Sequence, residues 1–121
     1  MTGVITPKMD TWKLLWTNPN PNSSFSAQTL SLDLSGYDFI LVATAYYIYF
    51  AGKHYAWNLL KVDDAFTQQL MVVRESNMSS REVTVSGTGI VFGGGKINTS
   101  GVTGNECAVP EFIYGIKGVS T

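Results

Sequence analysis

The sequence predicts an all-β fold: one antiparallel β-sandwich or jelly roll of about seven or eight strands. Three observations carry this. Short stretches with period-two alternation recur roughly every ten residues along the chain. Turn-forming clusters rich in Gly, Pro, Asn and Ser separate them. No stretch shows the three-to-four-residue apolar spacing of a convincing amphipathic helix, the best candidate, "DDAFTQQLMVV", being too apolar on both sides at its end.

The first strand is "WKLLW" (12–16), with Trp12, Leu14 and Trp16 expected on one face, and the loop "TNPNPNSS" (17–24) follows it. "TLSLDL" (29–34) alternates cleanly, placing Leu30, Leu32 and Leu34 on one side and Thr29, Ser31 and Asp33 on the other. "SGYD" (35–38) reads as a tight turn. It leads into "YDFILVATAYYIYF" (37–50), which is apolar on both faces. A parallel sheet would cover both faces of such a strand with helices, and none is predicted. The expectation is therefore one face in the core and the other against a second subunit, with Tyr47 and Tyr49 as candidate interface residues. After a turn at 51–54 come "YAWNLLKV" (55–62) and "FTQQLMVVRE" (66–75), the latter with Leu70, Val72 and Arg74 opposed to Met71 and Val73. "SREVTVSG" (80–87) directs Val83 and Val85 inward and forms a hairpin with "TGIVFGGG" (88–95), which is read as a turn, a strand and a further turn. The polar segment 96–106 is a loop or a short strand. The last strand, "VPEFIYGIKG" (109–118), is interrupted by Gly115 and Gly118. Glycine weakens a strand interior, so Gly115 is expected to admit a close neighbour, with Trp12 or Trp16 as the ring over the gap and Gly118 ending the strand.

The chain of 121 residues and 13.2 kDa suits a single domain over 1–121, with 1–11 as a flexible N-terminal segment. A chain of this length buries roughly 65–70% of its unfolded surface and needs neither disulfide nor metal to fold. The one cysteine, Cys107, excludes an internal disulfide and is expected to be a small buried hydrophobe. Charged residues make up 14% of the chain, against about 25% in ordinary domains. The 8 basic and 9 acidic residues form no basic stripe, which argues against nucleic-acid binding. So thin a charge cover points to a surface partly occupied by a partner. No signal peptide is legible, and the longest apolar run, 39–51, falls short of the roughly 18 residues of a membrane helix, so no membrane insertion is expected.

Catalytic and metal-binding patterns are missing. His54 has no ligand-spaced partners, and Asp63 and Asp64 lack the alternation of a calcium loop, so no metal or cofactor is expected. "GTGIVFGGG" departs from a dinucleotide fingerprint at Phe92, and no nucleophile motif is present, so an enzyme is not expected. The sequons at Asn22, Asn77 and Asn98 fall in polar loops and carry little weight. What stands out is the aromatic content of 12%, with Tyr46, Tyr47, Tyr49, Tyr55 and Trp57 around one turn. Rings with a polar tip suit interfaces and sugar stacking, which makes His54, Tyr55 and Trp57 candidate ligand-binding residues. Loops 51–57 and 96–106 are the candidate recognition loops.

Several segments together resemble a small structural module of tailed bacteriophages and prophages of Gram-positive bacteria. They are Leu15, Trp16, Asn18 and Pro21; Phe25 and Thr29; Ser35 through Asp38; Arg81, Val83 and Val85; Gly89, Ile90 and Phe92; and a closing Cys107, Val109, Pro110 and Ile113 through Gly118. The resemblance spans roughly 12–118 and is most specific in the closing "IYGIKG". It implies a virion component of the fibre, tail-tip or head-decoration kind, made in the bacterial cytoplasm. It further implies a homo-oligomer, most simply a trimer, in contact with other virion proteins and with host cell-surface polysaccharide. The alternative from another class is a monomeric carbohydrate-binding module that stacks sugar on Tyr55 and Trp57.

Overall fold

The computed structural model describes residues 12–49, 54–97 and 104–117. The expected N-terminal segment 1–11, most of the turn at 51–54, most of the loop 96–106 and Gly118 lie outside them. Among the described residues there are eight strands: β1 (Trp12–Thr17), β2 (Gln28–Ser31), β3 (Phe39–Tyr47), β4 (Tyr55–Lys61), β5 (Asp63–Arg74), β6 (Asn77–Ser86), β7 (Gly89–Ile97) and β8 (Cys107–Ile116). They form two four-stranded antiparallel sheets, a first of order β1-β8-β3-β4 and a second of order β2-β7-β6-β5. The all-β sandwich expected from the alternation is therefore present.

Strands β3 to β8 contribute inward side chains to one core, and Leu15 and Trp16 of β1 and Leu30 of β2 pack against it. Ile40, Val42 and Ile48 come from β3 and the turn after it, Leu60 from β4, Leu70 from β5, Val83 and Val85 from β6, Ile90 and Phe92 from β7, and Val109 and Ile113 from β8. Leu34 and Phe25 close the core from the segments flanking β2. Period two is obeyed wherever pairing is regular, because successive side chains leave a strand on opposite faces.

Departures from the sequence reading occur where pairing is irregular. A bulge between Leu14 and Trp16 breaks the expected single face of β1. Trp12 and Leu14 lie exposed on the outer side, whereas Leu15 and Trp16 pack against the core. β3 is shorter than expected, and Tyr49 falls in the turn after it. β5 starts at Asp63 and carries an irregularity between Asp63 and Gln68 that no propensity signals. The three glycines 93–95 are not a turn. They lie inside β7, at a bulge opposite Arg81 and Val83. Pro110, which has no N–H to give, sits in the interior strand β8 beside a further bulge, where a ladder bond is already lost. The Asn18 side-chain amide donates to the Pro110 carbonyl at 2.9 Å, and the Asn18 N–H donates to Glu111 O at 2.8 Å, so the loop after β1 continues the pairing across the irregular stretch.

One side chain ties four segments together. Arg81 of β6 is fully buried. Its Nε donates to Ala108 O at 2.9 Å, Nη1 to Gly93 O at 2.6 Å, and Nη2 to Cys107 O at 2.9 Å and Asn105 O at 3.2 Å. Its guanidinium lies 5.3 Å from the centre of the Phe25 ring, which in turn packs edge-on against Phe92 and Trp16. Ala108 adopts a left-handed conformation (φ 49°) that belongs to the same arrangement. A Cβ on Gly95 would strike the carbonyls of Cys107 and Gly104 and approach Arg81 Nη2, so only glycine lets β7 pass this close. Burial lowers the guanidinium pKa to about 10, and the group stays charged at neutral pH.

At the opposite end of β8, Gly115 does admit close neighbours, but they are Leu15 and Tyr37, not the tryptophans expected. A Cβ there would lie 2.7 Å from both side chains. The bulge in β1 explains the exchange, because it turns Leu15 inward and leaves Trp12 on the other face.

Two consequences are measurable by urea denaturation. Gly115→Val is expected to lose about 1–3 kcal/mol by overpacking against Leu15 and Tyr37, and an unchanged midpoint would refute that role. Arg81→Met strips the donors from four carbonyls, and each buried acceptor left unmade costs about 1–3 kcal/mol. A loss of at least about 3 kcal/mol is expected, with Arg81→Lys retaining the charge but only part of the stability.

Candidate functional site

The two faces of the first sheet differ from those of the second. Its inner face belongs to the core. On its outer face the cross-strand rows are Leu14, Tyr114, Leu41 and Leu59, and beside them Phe112, Ala43 and Trp57. Trp12, Leu14, Trp57 and Leu59 are 38%, 47%, 55% and 60% exposed. A shallow cleft of about 460 Å³ opens there, lined by Trp12, Leu41, Trp57 and Tyr114. Trp57 and Tyr114 pack as a tilted pair with ring centres 6.1 Å apart. The outer face of the second sheet also exposes Met71, Val73 and Val91, but Gln69, Glu82, Thr84 and Lys96 are interleaved with them.

The doubly apolar strand 37–50 thus resolves into a core face and an outward face. Tyr47 and Tyr49 form an edge-on pair with centres 5.3 Å apart, Tyr47 half-buried at the end of β3 and Tyr49 exposed in the turn beyond. Burial, and less so the neighbouring Cys107, Glu106 and Tyr49, pushes the Tyr47 hydroxyl pKa up.

The three candidate ligand residues are not one cluster. Trp57 is part of the aromatic cleft. Tyr55, two residues earlier on the same face of β4, is hydrogen-bonded to Glu111, and burial together with that bond raises its pKa to about 12. The His54 side chain is exposed at the entrance to β4, where its backbone carbonyl accepts from Tyr46 N–H at 2.8 Å. Trp12, Leu41 and Tyr114 were not singled out by the sequence reading as partners of Trp57. The signal available was their outward parity on β3 and β8, which becomes meaningful only once β8 is known to lie between β1 and β3.

The open flank of the sandwich is closed by side-chain amides. β4 and β5 are the edge strands of their respective sheets. Asn58 donates to Met71 O and accepts from Met71 N–H, both at 3.1 Å, and its Oδ1 also accepts from the Thr44 hydroxyl at 3.0 Å. Gln68 reciprocates across the same flank, accepting from Lys61 N–H at 2.9 Å and donating to Lys61 O at 2.7 Å. Each amide presents one donor and one acceptor, as a strand backbone would, and so occupies edge groups that would otherwise invite another chain.

Among the described residues, no group of three His, Cys, Asp or Glu is placed to hold a metal ion, and no helix is long and apolar enough to cross a membrane. Asp63 accepts from Ala65 N–H at 2.9 Å and lies 3.7 Å from Lys61 Nζ. Comparison with protein families, curated proteins and solved structures gives no match.

Cys107 is completely buried beside the Arg81 arrangement, and burial is the main reason its thiol pKa is raised. A buried neutral thiol is a poor nucleophile. Labelling with a thiol reagent in native buffer is expected to proceed only as fast as the protein opens, and at full speed in urea. Rapid stoichiometric labelling of the native protein would contradict this placement.

Proposed function

We propose that this chain is a structural protein of a phage virion, of the fibre, tail-tip or head-decoration kind, acting as a homo-oligomer in contact with other virion proteins. The observation that carries the reading is the outer face of the first sheet, where Trp12, Leu14, Trp57 and Leu59 are exposed around Leu41 and Tyr114. Monomeric soluble proteins seldom leave a contiguous apolar patch of this kind in water. The contrast with the interleaved polar residues of the second sheet's outer face supports a second copy as its occupant. The sequence resemblance supports the virion context, and a trimer is the assembly it implies. Repeated copies at the end of a particle gain avidity from individually weak surface contacts, which suits attachment to host polysaccharide.

A monomeric carbohydrate-binding module is the second reading. The aromatic cleft favours it, since the faces of Trp12, Trp57 and Tyr114 could stack on sugar rings.

Light scattering coupled to size exclusion separates the two. The oligomer reading expects a mass near three times 13.2 kDa. It also expects Leu59→Glu to shift the protein to monomer with an unchanged melting temperature, because the position is 60% exposed. A parent protein that stays monomeric at high concentration would overturn the oligomer, and oligosaccharide binding quenched through Trp57 fluorescence would then identify the module.

A further inference from the structure

At the β1–β2 flank the sandwich opens into a polar cleft of about 450 Å³, within the size range of small-ligand sites. It is lined by Lys13, Leu15, Leu32, Asp33, Ser35, Gly36, Tyr37 and Lys117. Lys13 lies in register with Gly115 and Ile40, a row directed between the sheets, and Lys117 is the next position of that parity beyond the end of β8. Inward positions in a sandwich are ordinarily apolar. Here two positions of that parity carry exposed ammonium groups at the mouth, and Asp33 is the one carboxylate among the lining residues. Lys13 and Lys117 form no ion pair among the described residues. An inward lysine on an edge strand can serve to block edge-to-edge pairing, which would account for Lys13. It does not account for Lys117, because β8 is an interior strand.

The other lining groups restrict what could neutralise this charge. Lys117 Nζ sits 5.7 Å from the centre of the Tyr37 ring, which holds the ammonium over the cleft. Asp33 Oδ1 accepts from Ser35 Oγ at 2.6 Å and Ser35 N–H at 3.2 Å, and these bonds lower its pKa, so the carboxylate is ionised and fixed. A fixed carboxylate repels a bare anion but accepts from hydroxyl groups. Leu15 and Leu32 add an apolar wall. A ligand that satisfies all of these carries a negative group, hydroxyl donors and a C–H face at once.

We propose that this mouth binds an acidic saccharide, its carboxylate or phosphate held between Lys13 and Lys117 and its hydroxyls donating to Asp33. This deepens the surface-attachment part of the reading above and rests on it for the biological source of the sugar. Oligomerisation is read separately by mass, so either can fail alone.

Titration of the isotopically labelled protein, followed by amide NMR shifts, tests it with four probes: galacturonic acid, glucose 6-phosphate, glucose and inorganic phosphate. The two acidic sugars are expected to shift the amides of 13–15, 33–37 and 115–117 and to bind at least about tenfold more tightly than glucose or phosphate. Comparing them distinguishes carboxylate from phosphate as the preferred charge. The Lys13→Gln, Lys117→Gln double variant, altered only at exposed positions, should keep its spectral dispersion and lose the difference between acidic and neutral sugar. Asp33→Asn should weaken the acidic sugars and leave inorganic phosphate no weaker. Equal affinity for glucose 6-phosphate and inorganic phosphate, undiminished binding by the double variant, or no response to either acidic sugar would each overturn the proposal.

Discussion

The fold depends on a buried positive charge that is held by neutral backbone dipoles, with no carboxylate among its hydrogen-bond acceptors. Every hydrogen-bond acceptor around Arg81 is a backbone carbonyl, from Gly93, Asn105, Cys107 and Ala108. A guanidinium presents five donors in a fixed plane and sheds its water more readily than an ammonium, so it can be buried against oriented peptide dipoles where lysine could not. The requirement runs in both directions. The carbonyls are available only because β7 bulges through three glycines and β8 begins with a left-handed Ala108. Those irregular backbones are tolerable inside the protein only because the guanidinium satisfies them. The link also crosses the sandwich, joining β6 and β7 of the second sheet to the start of β8 in the first, with Phe25 stacked over it.

Sheet edges are managed by a related device. Asn58 and Gln68 use side-chain amides as pieces of backbone, each bonding an N–H and a C=O of the opposite edge strand. Their effect is to bind the two edges to each other at Met71 of β5 and at Lys61, the last residue of β4. The outer face of the first sheet, unlike these edge groups, has its apolar side chains left in solvent. The apolar residues there, Trp57 and Leu59 among them, stand out from the plane of the sheet, so contact through this face would be made by side chains.

The regular part of this architecture was legible in the sequence and the irregular part was not. Alternation directed Val83 and Val85 of β6 inward and grouped Leu70 with Val72 on one face of β5, because a half-buried strand in water must separate its apolar and polar positions; for β8 it separated two faces without telling which was the core face. Strand β3 was readable as an element whose two faces were both apolar, though not which neighbours its outer face would meet. The bulges defeated parity. One extra residue in β1 moved Leu15 and Trp16 inward together and left Trp12 outside, where it lines the same cleft as Trp57. The run 93–95 looks like turn chemistry because glycine serves turns and close backbone approaches equally well. Arg81 stood in a stretch whose alternation was plain, yet nothing local marks a charged residue for burial when its partners are carbonyls 12 to 27 positions away. The two-residue turn at Glu75 and Ser76 was also hidden, since Glu75 takes a positive φ of 58° without the glycine or asparagine that usually announces it.

The distribution of these features along β8 separates stability from recognition. Its first residues, Cys107 and Ala108, belong to the Arg81 arrangement, and its far end leads through Gly115 to Lys117 at the polar mouth. At about 3.3 Å per residue the two ends lie roughly 30 Å apart. Substitutions at such a distance, with no shared partners, act on stability nearly additively. Side chains at the mouth and on the outer face can therefore change without disturbing the buried guanidinium, provided Gly115 continues to leave room for Leu15 and Tyr37. Gly115 is the point at which the two demands meet. It lets the core close beneath the mouth, and Tyr37, which fills the space it leaves, is the same ring that carries the Lys117 ammonium.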